Sequence, residues 1–292
     1  MSTLKYSYYP GCSLHASAGE YDLSTRELFK ELDIALVEVP DWFCCGATPA
    51  HNVDELLSLS LCAKNLELAE QVEGDLAVAC AACFSRLKFT QHTLGENETK
   101  RTQVEKALDA KVRLDGNVKH LLDILARDLG LDKLAGVVKT PLKGLKVACY
   151  YGCLLTRPPG VPNLDCVEAP TIMEDLLAAV GAETVSWTHR LECCGANFTL
   201  SRPGVVLQLT NAILESAKAA GADCIMVACP LCHGNLDIRQ QEIEGVYKAD
   251  YKLPVFYITQ LVGMACGLTP ERLGLEALIV DPKTLLKEKG LL

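Results

Sequence analysis

The sequence predicts an α/β fold built from two similar halves, each a small parallel sheet flanked by helices. The first observation behind this prediction is an internal repeat, in which cysteines 44 and 80 recur at 193 and 229, a constant shift of 149 positions. The second is an alternation of short apolar runs with longer segments of helical spacing, which is typical of parallel sheets. A repeat of this length indicates a duplicated domain.

The repeated motif is an adjacent cysteine pair followed by glycine and, 35 residues after the pair, by two cysteines separated by two residues. A single cysteine precedes each copy. It follows Tyr-Tyr-Pro-Gly in the first half and Tyr-Tyr-Gly in the second. Each half therefore carries five cysteines in the same order. They are Cys12, Cys44, Cys45, Cys80 and Cys83 in the first half and Cys153, Cys193, Cys194, Cys229 and Cys232 in the second.

The elements of the first half alternate between strand and helix, and a turn that bears cysteine follows each strand. Cys83 falls in the first turn of the helix that begins after Cys80. Because the carboxyl ends of parallel strands meet at one edge of a sheet, we expect the five cysteines to meet there in a Rossmann-like arrangement. The predicted elements are strands over 5–9, 34–39 and 75–79 and helices over 15–32 and 49–72.

The second half repeats this scheme after a segment without cysteine. Residues 98–134 are charged and have helical spacing, so we expect a helical connector without a counterpart in the second half, then a linker over 136–144. We therefore predict an N-terminal domain over 1–140 that includes the connector and a C-terminal domain over 141–292. The predicted elements of the C-terminal domain are strands over 145–150, 184–187, 224–228 and 255–258, helices over 170–180 and 204–220, and short helices within 269–292.

Composition indicates a folded protein of the cell interior. Of the 292 residues, 49% are hydrophobic, and the net charge of −9 argues against nucleic acid or an anionic membrane surface as the main partner. No apolar run approaches the roughly 20 residues of a membrane helix, and the N-terminus lacks the pattern of a secretory signal. We expect a cytoplasmic protein whose fifteen cysteines serve metal binding or redox chemistry rather than disulfides.

The number of repeated cysteines limits what they can hold. Structural zinc takes four ligands, and an ordinary cubane iron–sulfur cluster takes four cysteines, so five in each half exceed both. A dithiol redox pair would leave three cysteines in each half without a role. We favour an unusual multi-iron cluster in each half, with zinc plus a spare thiol as the second interpretation. Gly46 and Gly195 fit a turn that wraps two consecutive thiolates around such a group.

The remaining candidate residues have simpler interpretations. His189 and His233 lie near the second motif, but the equivalent positions of the first half hold other residues, so we expect local roles. Arg157 and Arg202 lie near the same loops and could bind an anionic substrate, although solvent-exposed arginines are common. The other five cysteines do not recur between the halves, and we expect them to be small buried apolar residues. They are Cys62, Cys149, Cys166, Cys224 and Cys266.

The order single cysteine, Cys-Cys-Gly, Cys-x-x-Cys, present twice in one chain, resembles the cysteine-rich CCG domains of the heterodisulfide reductase B subunit. The resemblance covers nearly the whole chain, and both copies are complete. It implies two noncubane [4Fe–4S] clusters, each bound by five cysteines. The implied ligands are Cys12, Cys44, Cys45, Cys80 and Cys83 for the first cluster and Cys153, Cys193, Cys194, Cys229 and Cys232 for the second.

The resemblance also implies a reaction, the reduction of the mixed disulfide CoM-S-S-CoB to coenzyme M and coenzyme B between two facing clusters, as part of methanogenesis. It implies no catalytic side chain, because the cluster irons act on the disulfide. An alternative within the same superfamily is the cysteine-rich subunit of a lactate, glycolate, glycerol-phosphate or succinate oxidising complex. A non-catalytic electron-transfer subunit is the third interpretation.

The source of electrons is predicted to be another protein. The sequence contains neither the C-x₂-C-x₂-C-x₃-C-P run of a ferredoxin nor a glycine-rich dinucleotide fingerprint. The resemblance implies a ferredoxin-like C subunit as the direct donor, with the flavoprotein A subunit behind it. A hydrogenase or formate dehydrogenase would complete a complex that performs flavin-based electron bifurcation.

Overall fold

A computed structural model describes residues 4–47, 50–112 and 114–292. These residues form two four-stranded parallel sheets, one in each half of the chain. The first contains β1 (Leu4–Tyr9), β2 (Ile34–Glu38), β3 (Asp75–Val78) and β4 (Val118–His120), and the second contains β5 (Lys146–Tyr150), β6 (Glu183–Thr184), β7 (Cys224–Val227) and β8 (Val255–Tyr257). Their strand orders, β2-β1-β3-β4 and β6-β5-β7-β8, are equivalent. The predicted α/β fold with two similar halves is confirmed.

Helices connect the strands and flank both sheets. The first half contains α1 (Gly19–Glu31), α2 (Ala50–Val53), α3 (Glu55–Ala69), α4 (Ala81–Glu96), α5 (Glu98–Leu108), α6 (Leu121–Asp123), a π-helical segment (Ile124–Gly130) and α7 (Leu131–Gly136). The second contains α8 (Ile172–Ala179), α9 (Pro203–Ala219), α10 (Pro230–Leu236), α11 (Gln240–Tyr247), α12 (Ile258–Ala265) and α13 (Lys283–Glu288), with 3₁₀ turns at Ala196–Phe198 and Leu275–Ala277. None of the helices in the described ranges is both long enough and apolar enough to cross a bilayer.

Burial along the strands follows their positions in the sheets. Strand β7 lies between two neighbours and is buried at all four positions, whereas the edge strand β6 is exposed at both of its residues. A parallel strand covered by helices on both faces needs a continuous apolar run, which is why such runs were recognisable in the sequence. The exposed edge accounts for the difference between the predicted strand over 184–187 and the two-residue β6.

Two predicted helices of the first half are shorter than expected, because hydrogen bonds to polar groups make the observed helices begin later in the chain. Helix α1 begins at Gly19 rather than at residue 15, since Ser13 O accepts from the amides of Ala16 and Ala18 in a tight turn. The helix predicted over 49–72 is divided before α3 by Asp54, whose carboxylate accepts from Leu57 N at 2.7 Å. Such a side-chain cap satisfies an amide that has no partner within the helix. The start of that prediction, residue 49, lies outside the described residues.

The expectation of a wholly helical connector over 98–134 is wrong. Val118–His120 forms β4, which pairs in parallel with β3 and is the counterpart of β8 in the second sheet. A strand of three residues offers too little alternation to be distinguished from the helical segments on either side of it. The linker was expected over 136–144, and apart from Gly136, the last residue of α7, these residues form no helix or strand.

The two halves share one hydrophobic core. Helix α1, which follows β1, packs against α12, which follows β8 of the other half. In the same way α8, which follows β5, packs against the helical segment that follows β4. Each half therefore covers the first helix of the other, and the exchange is reciprocal.

A buried polar contact specifies how α1 and α12 meet. The hydroxyls of Ser24 and Thr259 lie 2.7 Å apart, and both side chains are fully buried. One turn away, the rings of Tyr21 and Tyr257 stack with their centroids 3.9 Å apart. Because a buried hydroxyl without a partner is costly, the pair favours one register of the two helices.

Ser24→Ala should lower the free energy of unfolding by about 1–3 kcal/mol, because it removes the partner of the buried Thr259 hydroxyl. The double variant Ser24→Ala/Thr259→Val should lose less than the sum of the two single variants, since no hydroxyl is then left alone. Denaturant unfolding of the three proteins measures this coupling. Strictly additive losses would contradict the proposed role of the pair.

Candidate functional site

The repeated cysteines lie in loops at the C-terminal ends of the central strands. In the first half these loops follow β1, β2 and β3, which are neighbours in the sheet. The chain reverses its direction of progress across the sheet at β1, and parallel sheets open a crevice at such a point. The second half has the same arrangement around β5. We call the two groups the first cysteine set (Cys12, Cys44, Cys45, Cys80 and Cys83) and the second cysteine set (Cys153, Cys193, Cys194, Cys229 and Cys232).

The structure brings the members of each set into contact in matching pairs. In the first set the sulfur atoms of Cys12 and Cys44 are 3.5 Å apart, and those of Cys45 and Cys83 are 3.3 Å apart. In the second set Cys153 contacts Cys193. The sulfur atoms of Cys194 and Cys232 are 3.6 Å apart.

The two sets meet at the boundary between the halves. The carbonyls directly before Cys80 and Cys229 lie 3.0 Å and 3.3 Å from the same atom, Nε2 of His120, so the two cysteines are brought close together. Their thiols interact with each other, and each also interacts with the last cysteine of its own set, Cys83 or Cys232. Both Cys80 and Cys229 are buried. The two sets are therefore adjacent and form one composite site.

Exposure divides each set into an outer pair and an inner trio. The outer sulfurs of the first set, Cys12 and Cys44, are exposed, as is Cys193 of the second, while Cys153 is half-buried. The inner trios are buried. A molecule that approaches from solvent therefore meets the outer pairs first, whereas Cys80 and Cys229 of the inner trios interact with each other. The inner trios are Cys45, Cys80 and Cys83, and Cys194, Cys229 and Cys232.

Contacts within the outer pairs shift the thiol pKa values in opposite directions. Contact with Cys153, aided by the Gly195 N–H at 3.3 Å, lowers the pKa of Cys193 to about 6. Contact with its own partner and with the Gly46 N–H at 3.4 Å holds the pKa of Cys44 well below its usual range. Each Cys-Cys-Gly turn thus favours the thiolate on its first cysteine, and the thiolate is the form that binds metals.

Equivalent tyrosines hold the two Cys-Cys-Gly turns against the sheets. The Tyr9 hydroxyl donates to Phe43 O at 2.8 Å, and the Tyr150 hydroxyl donates to Glu192 O at 2.6 Å. Each accepting carbonyl belongs to the residue directly before the adjacent cysteine pair. The repeated tyrosines upstream of Cys12 and Cys153 therefore orient the turns, a role that the sequence pattern did not reveal.

The carbonyl of the second cysteine in each turn is held by a different donor in each half. Cys45 O accepts from the thiol of Cys62 at 3.4 Å, and Cys194 O accepts from the Asn235 amide at 3.0 Å. Cys62 is buried as predicted, but it also supports the first turn. Of the other unrepeated cysteines, Cys149, Cys224 and Cys266 are buried as expected.

The expectation of burial is wrong for Cys166, which is exposed. It lies in the polar loop between β5 and α8, where the Asp165 carboxylate accepts from its backbone N–H at 2.7 Å. The carboxylate also accepts from the amides of Thr171 and Ile172, so this loop is organised by charge rather than by apolar packing. Cys166 therefore has no apolar surroundings in which to be buried and stays exposed to solvent.

The histidines and arginines considered from the sequence make local contacts. His233 is buried, and its Nε2 bonds to Val255 O at 2.9 Å, while His189 contacts the hydroxyl of its neighbour Thr188. Arg157 forms an exposed ion pair with Glu168 at 3.2 Å. Arg202 is exposed at the N-terminal end of α9.

One residue that the sequence analysis missed is His120, at the end of β4. Its side chain is fully buried, and its Nε2 lies 3.0 Å from Ala79 O and 3.3 Å from Ala228 O. These carbonyls directly precede Cys80 and Cys229. The helical interpretation of 98–134 hid this position, although a lone histidine before an apolar helix was a usable signal.

The turns before Cys12 and Cys153 leave space beside the inner sulfurs. A Cβ on Gly11 would lie 3.1 Å from the sulfur of Cys83, and one on Gly152 would lie 3.3 Å from that of Cys232. Both glycines also have φ in the left-handed region, at +76° and +65°. Five soft thiol donors with the backbone kept clear of them fit an iron–sulfur group. Across the described ranges, no three His, Cys, Asp or Glu side chains are arranged to hold a single metal ion.

The CCG family of cysteine-rich domains matches the chain twice, over residues 6–88 and 147–237. Each match contains one complete cysteine set. Together the two matches cover more than half of the chain.

Two relatives match along nearly their whole lengths. The 8-methylmenaquinol:fumarate reductase membrane anchor subunit of Wolinella succinogenes is 33% identical over 285 residues, covering 96% of this chain and 99% of the relative. The B subunit of the ferredoxin:CoB-CoM heterodisulfide reductase of Methanosarcina mazei is 30% identical over 279 residues, covering 93% and 92%.

A solved structure shares the fold. The crystal structure of a hypothetical protein from Helicobacter pylori superposes with a TM-score of 0.78 at 12% identity. The match covers 96% of this chain and 53% of that one, so this chain spans about half the length of the solved protein. At this identity the likeness concerns the fold alone.

Gly11→Ala should lower the metal content of the purified protein to about half, because the added methyl group would press on the sulfur of Cys83. Gly144→Ala is the matched control, since Gly144 has nearly the same φ, +75°, and its Cβ would meet nothing within 4 Å. Metal analysis of the two variants and the parent protein tests this. Equal metal content in all three would show that the space beside Cys83 is not needed.

Proposed function

The chain belongs to the CCG family of cysteine-rich domains, and we propose that it is the iron–sulfur B subunit of a heterodisulfide reductase. The observation that carries the proposal is the contact between Cys80 and Cys229. It brings two five-cysteine sets to one place, where two redox centres can serve a single substrate. Relatives with this name, about 30% identical over most of the chain, support the assignment.

We propose that each cysteine set holds one noncubane [4Fe–4S] cluster through all five of its sulfurs. The donor count supports this, since it exceeds the four cysteines of a cubane cluster and the four ligands of zinc. When bound, such a cluster supplies one-electron transfer and a Lewis-acidic iron. The residues of the chain hold the five sulfurs in place and shield the inner trios from water.

The proposed substrate is the mixed disulfide of coenzyme M and coenzyme B, after which the relatives from Methanosarcina are named. Two electrons and two protons convert its S–S bond into two thiols. A disulfide has two sulfur ends, and the chain presents two equivalent cysteine sets side by side. Each end of the S–S bond would therefore face one set.

We propose that electrons arrive from a ferredoxin-like C subunit, supplied by the flavoprotein A subunit and a hydrogenase or formate dehydrogenase in a bifurcating complex. Apolar side chains that are exposed shortly after each Cys-Cys-Gly turn support a docked partner. Leu200 is 96% exposed, and Leu56 and Val205, at equivalent positions of the two halves, are 39% and 41% exposed. Contiguous exposed apolar surface marks protein interfaces, and these exposed side chains follow the turns that carry the cysteines.

A second candidate function is supported by the relative from Wolinella, which is similar over 99% of its length. In this case the chain would transfer electrons between a quinol and a fumarate reductase, and no disulfide would be consumed. Among the alternatives considered from the sequence, the succinate oxidising complex is related to it, since succinate is the product of fumarate reduction. The two candidates share the metal site and differ in the substrate.

An anaerobic assay distinguishes the two candidates. Protein purified without oxygen should contain about eight iron atoms, as expected for two four-iron clusters, and should form two thiols from each CoM-S-S-CoB when supplied with a low-potential electron donor. Full iron content without thiol formation, together with reduction of fumarate by menaquinol in the assembled complex, would support the second candidate. Near-stoichiometric zinc without iron would contradict both.

Cys194→Ala should abolish disulfide reduction while about half of the iron remains, because it removes one inner sulfur of the second set and leaves the first set complete. Cys224→Ala is the control, since Cys224 is equally buried but lies within β7, outside both sets. Iron analysis and the thiol-release assay report the two effects separately. Retained activity in Cys194→Ala would argue against a reaction that requires both sets.

A further inference from the structure

One imidazole ring connects the two halves beside the composite site. The Nε2 atom of His120 lies within hydrogen-bond distance of two carbonyl oxygens, Ala79 O at 3.0 Å and Ala228 O at 3.3 Å. The two alanines occupy equivalent positions of the repeat, 149 residues apart (79 and 228). Each directly precedes a buried cysteine, Cys80 or Cys229. His120 therefore bonds to the backbone next to both of these cysteines.

The partners of His120 define its tautomer. Because a carbonyl oxygen only accepts, Nε2 carries the proton and donates it to both carbonyls. Nδ1 accepts from the Leu122 N–H at 3.2 Å, at the start of α6, and therefore carries no proton. Burial lowers the pKa of His120 to about 4, so the ring stays neutral at physiological pH. Phe84 packs against it edge to face.

The second half supplies no equivalent donor. Tyr257 occupies the position of His120, since both are the last residues of the matching strands β8 and β4. Its ring stacks on Tyr21 and on His233, with centroids 3.9 Å and 4.2 Å away. The bridge between the halves is therefore made once, from the first half, although the carbonyls that it joins are related by the repeat.

We propose that His120 is a positioning residue that fixes the separation of the two cysteine sets by tying the residues before Cys80 and Cys229 to one donor. This inference rests on the proposed function, in which each set holds a cluster. A small molecule can meet both sets at once only if the distance between them is constant to a fraction of an ångström. A neutral ring shared by the two backbones keeps that distance constant without adding charge.

Two substitutions separate the bridge from the helix cap that His120 also provides. His120→Asn keeps an acceptor near the place of Nδ1, and asparagine is a favoured N-cap, but it has no atom that reaches the place of Nε2. His120→Gln puts an amide N–H close to the place of Nε2. Ala79 O also accepts from the buried Tyr21 hydroxyl at 2.9 Å in both variants. The two variants therefore differ mainly in whether one donor reaches Ala228 O and joins it to Ala79 O.

The measurement is the magnetic interaction between the two clusters, recorded by electron paramagnetic resonance on the partly reduced full-length protein, together with its iron content. The interaction falls steeply with distance and reports the separation of the clusters independently of activity. We expect His120→Gln to resemble the parent protein, and His120→Asn to retain its iron while the interaction weakens or broadens.

His233→Phe is the matched control. His233 is also buried, its pKa is also lowered to about 4 by burial, and its Nε2 also bonds to a backbone carbonyl, Val255 O. That carbonyl lies in the same half, and phenylalanine already occupies the equivalent position of the first half, as Phe84. The control should lose a buried histidine without changing the magnetic interaction.

The outcomes distinguish the inference from the function on which it rests. An unchanged interaction in His120→Asn at full iron content would overturn the positioning role. If His120→Asn does not fold, His120→Gln decides: an interaction like that of the parent supports the role, and its loss overturns it. A parent protein without iron, or with clusters that do not interact, would instead refute the paired clusters themselves.

Discussion

The close approach of Cys80 and Cys229, whose preceding carbonyls both accept from His120 Nε2, is the constraint around which the two halves are arranged. These residues follow the central strands β3 and β7, so their contact requires the C-terminal edges of the two sheets to face each other. Helix α1 then lies against α12, and α8 lies against the helices that follow β4. The single core shared by the two halves is a consequence of this geometry.

The same geometry explains why the site has two environments. The inner trios lie where the two sheet edges meet and are excluded from water, while the outer pairs lie at the rim and reach solvent. Under the proposed function, burial at the centre would suit electron transfer between the two sets, and exposure at the rim would admit a substrate or a partner. Rigid supports hold both environments in place, since Tyr9 and Tyr150 fix the two turns and His120 joins the strands behind them.

The predicted elements agree with the structure where the local sequence pattern is strong and differ from it where the pattern is weak. Strands such as β5 and β7 were predictable because both of their faces are covered and their apolar runs are continuous. Strand β4 was not predicted because three residues carry almost no periodicity. His120, its last residue, was therefore not recognised as part of the site. Asp54 divides a predicted helix through a single capping bond, and Cys166 is exposed because an aspartate organises its loop. These outcomes depend on individual side-chain contacts, which periodicity does not encode.

The duplication, the α/β class and the two groups of five cysteines could be predicted from the amino-acid sequence alone, because residue spacing and runs of apolar residues are local properties of the chain. The folded molecule was needed to show that the two groups adjoin, that Cys80 lies next to Cys229, and that one histidine bonds to both halves. Residues more than a hundred positions apart come together only through the packing of complete helices and sheets. No local pattern in a single chain specifies which of those packings has the lowest free energy.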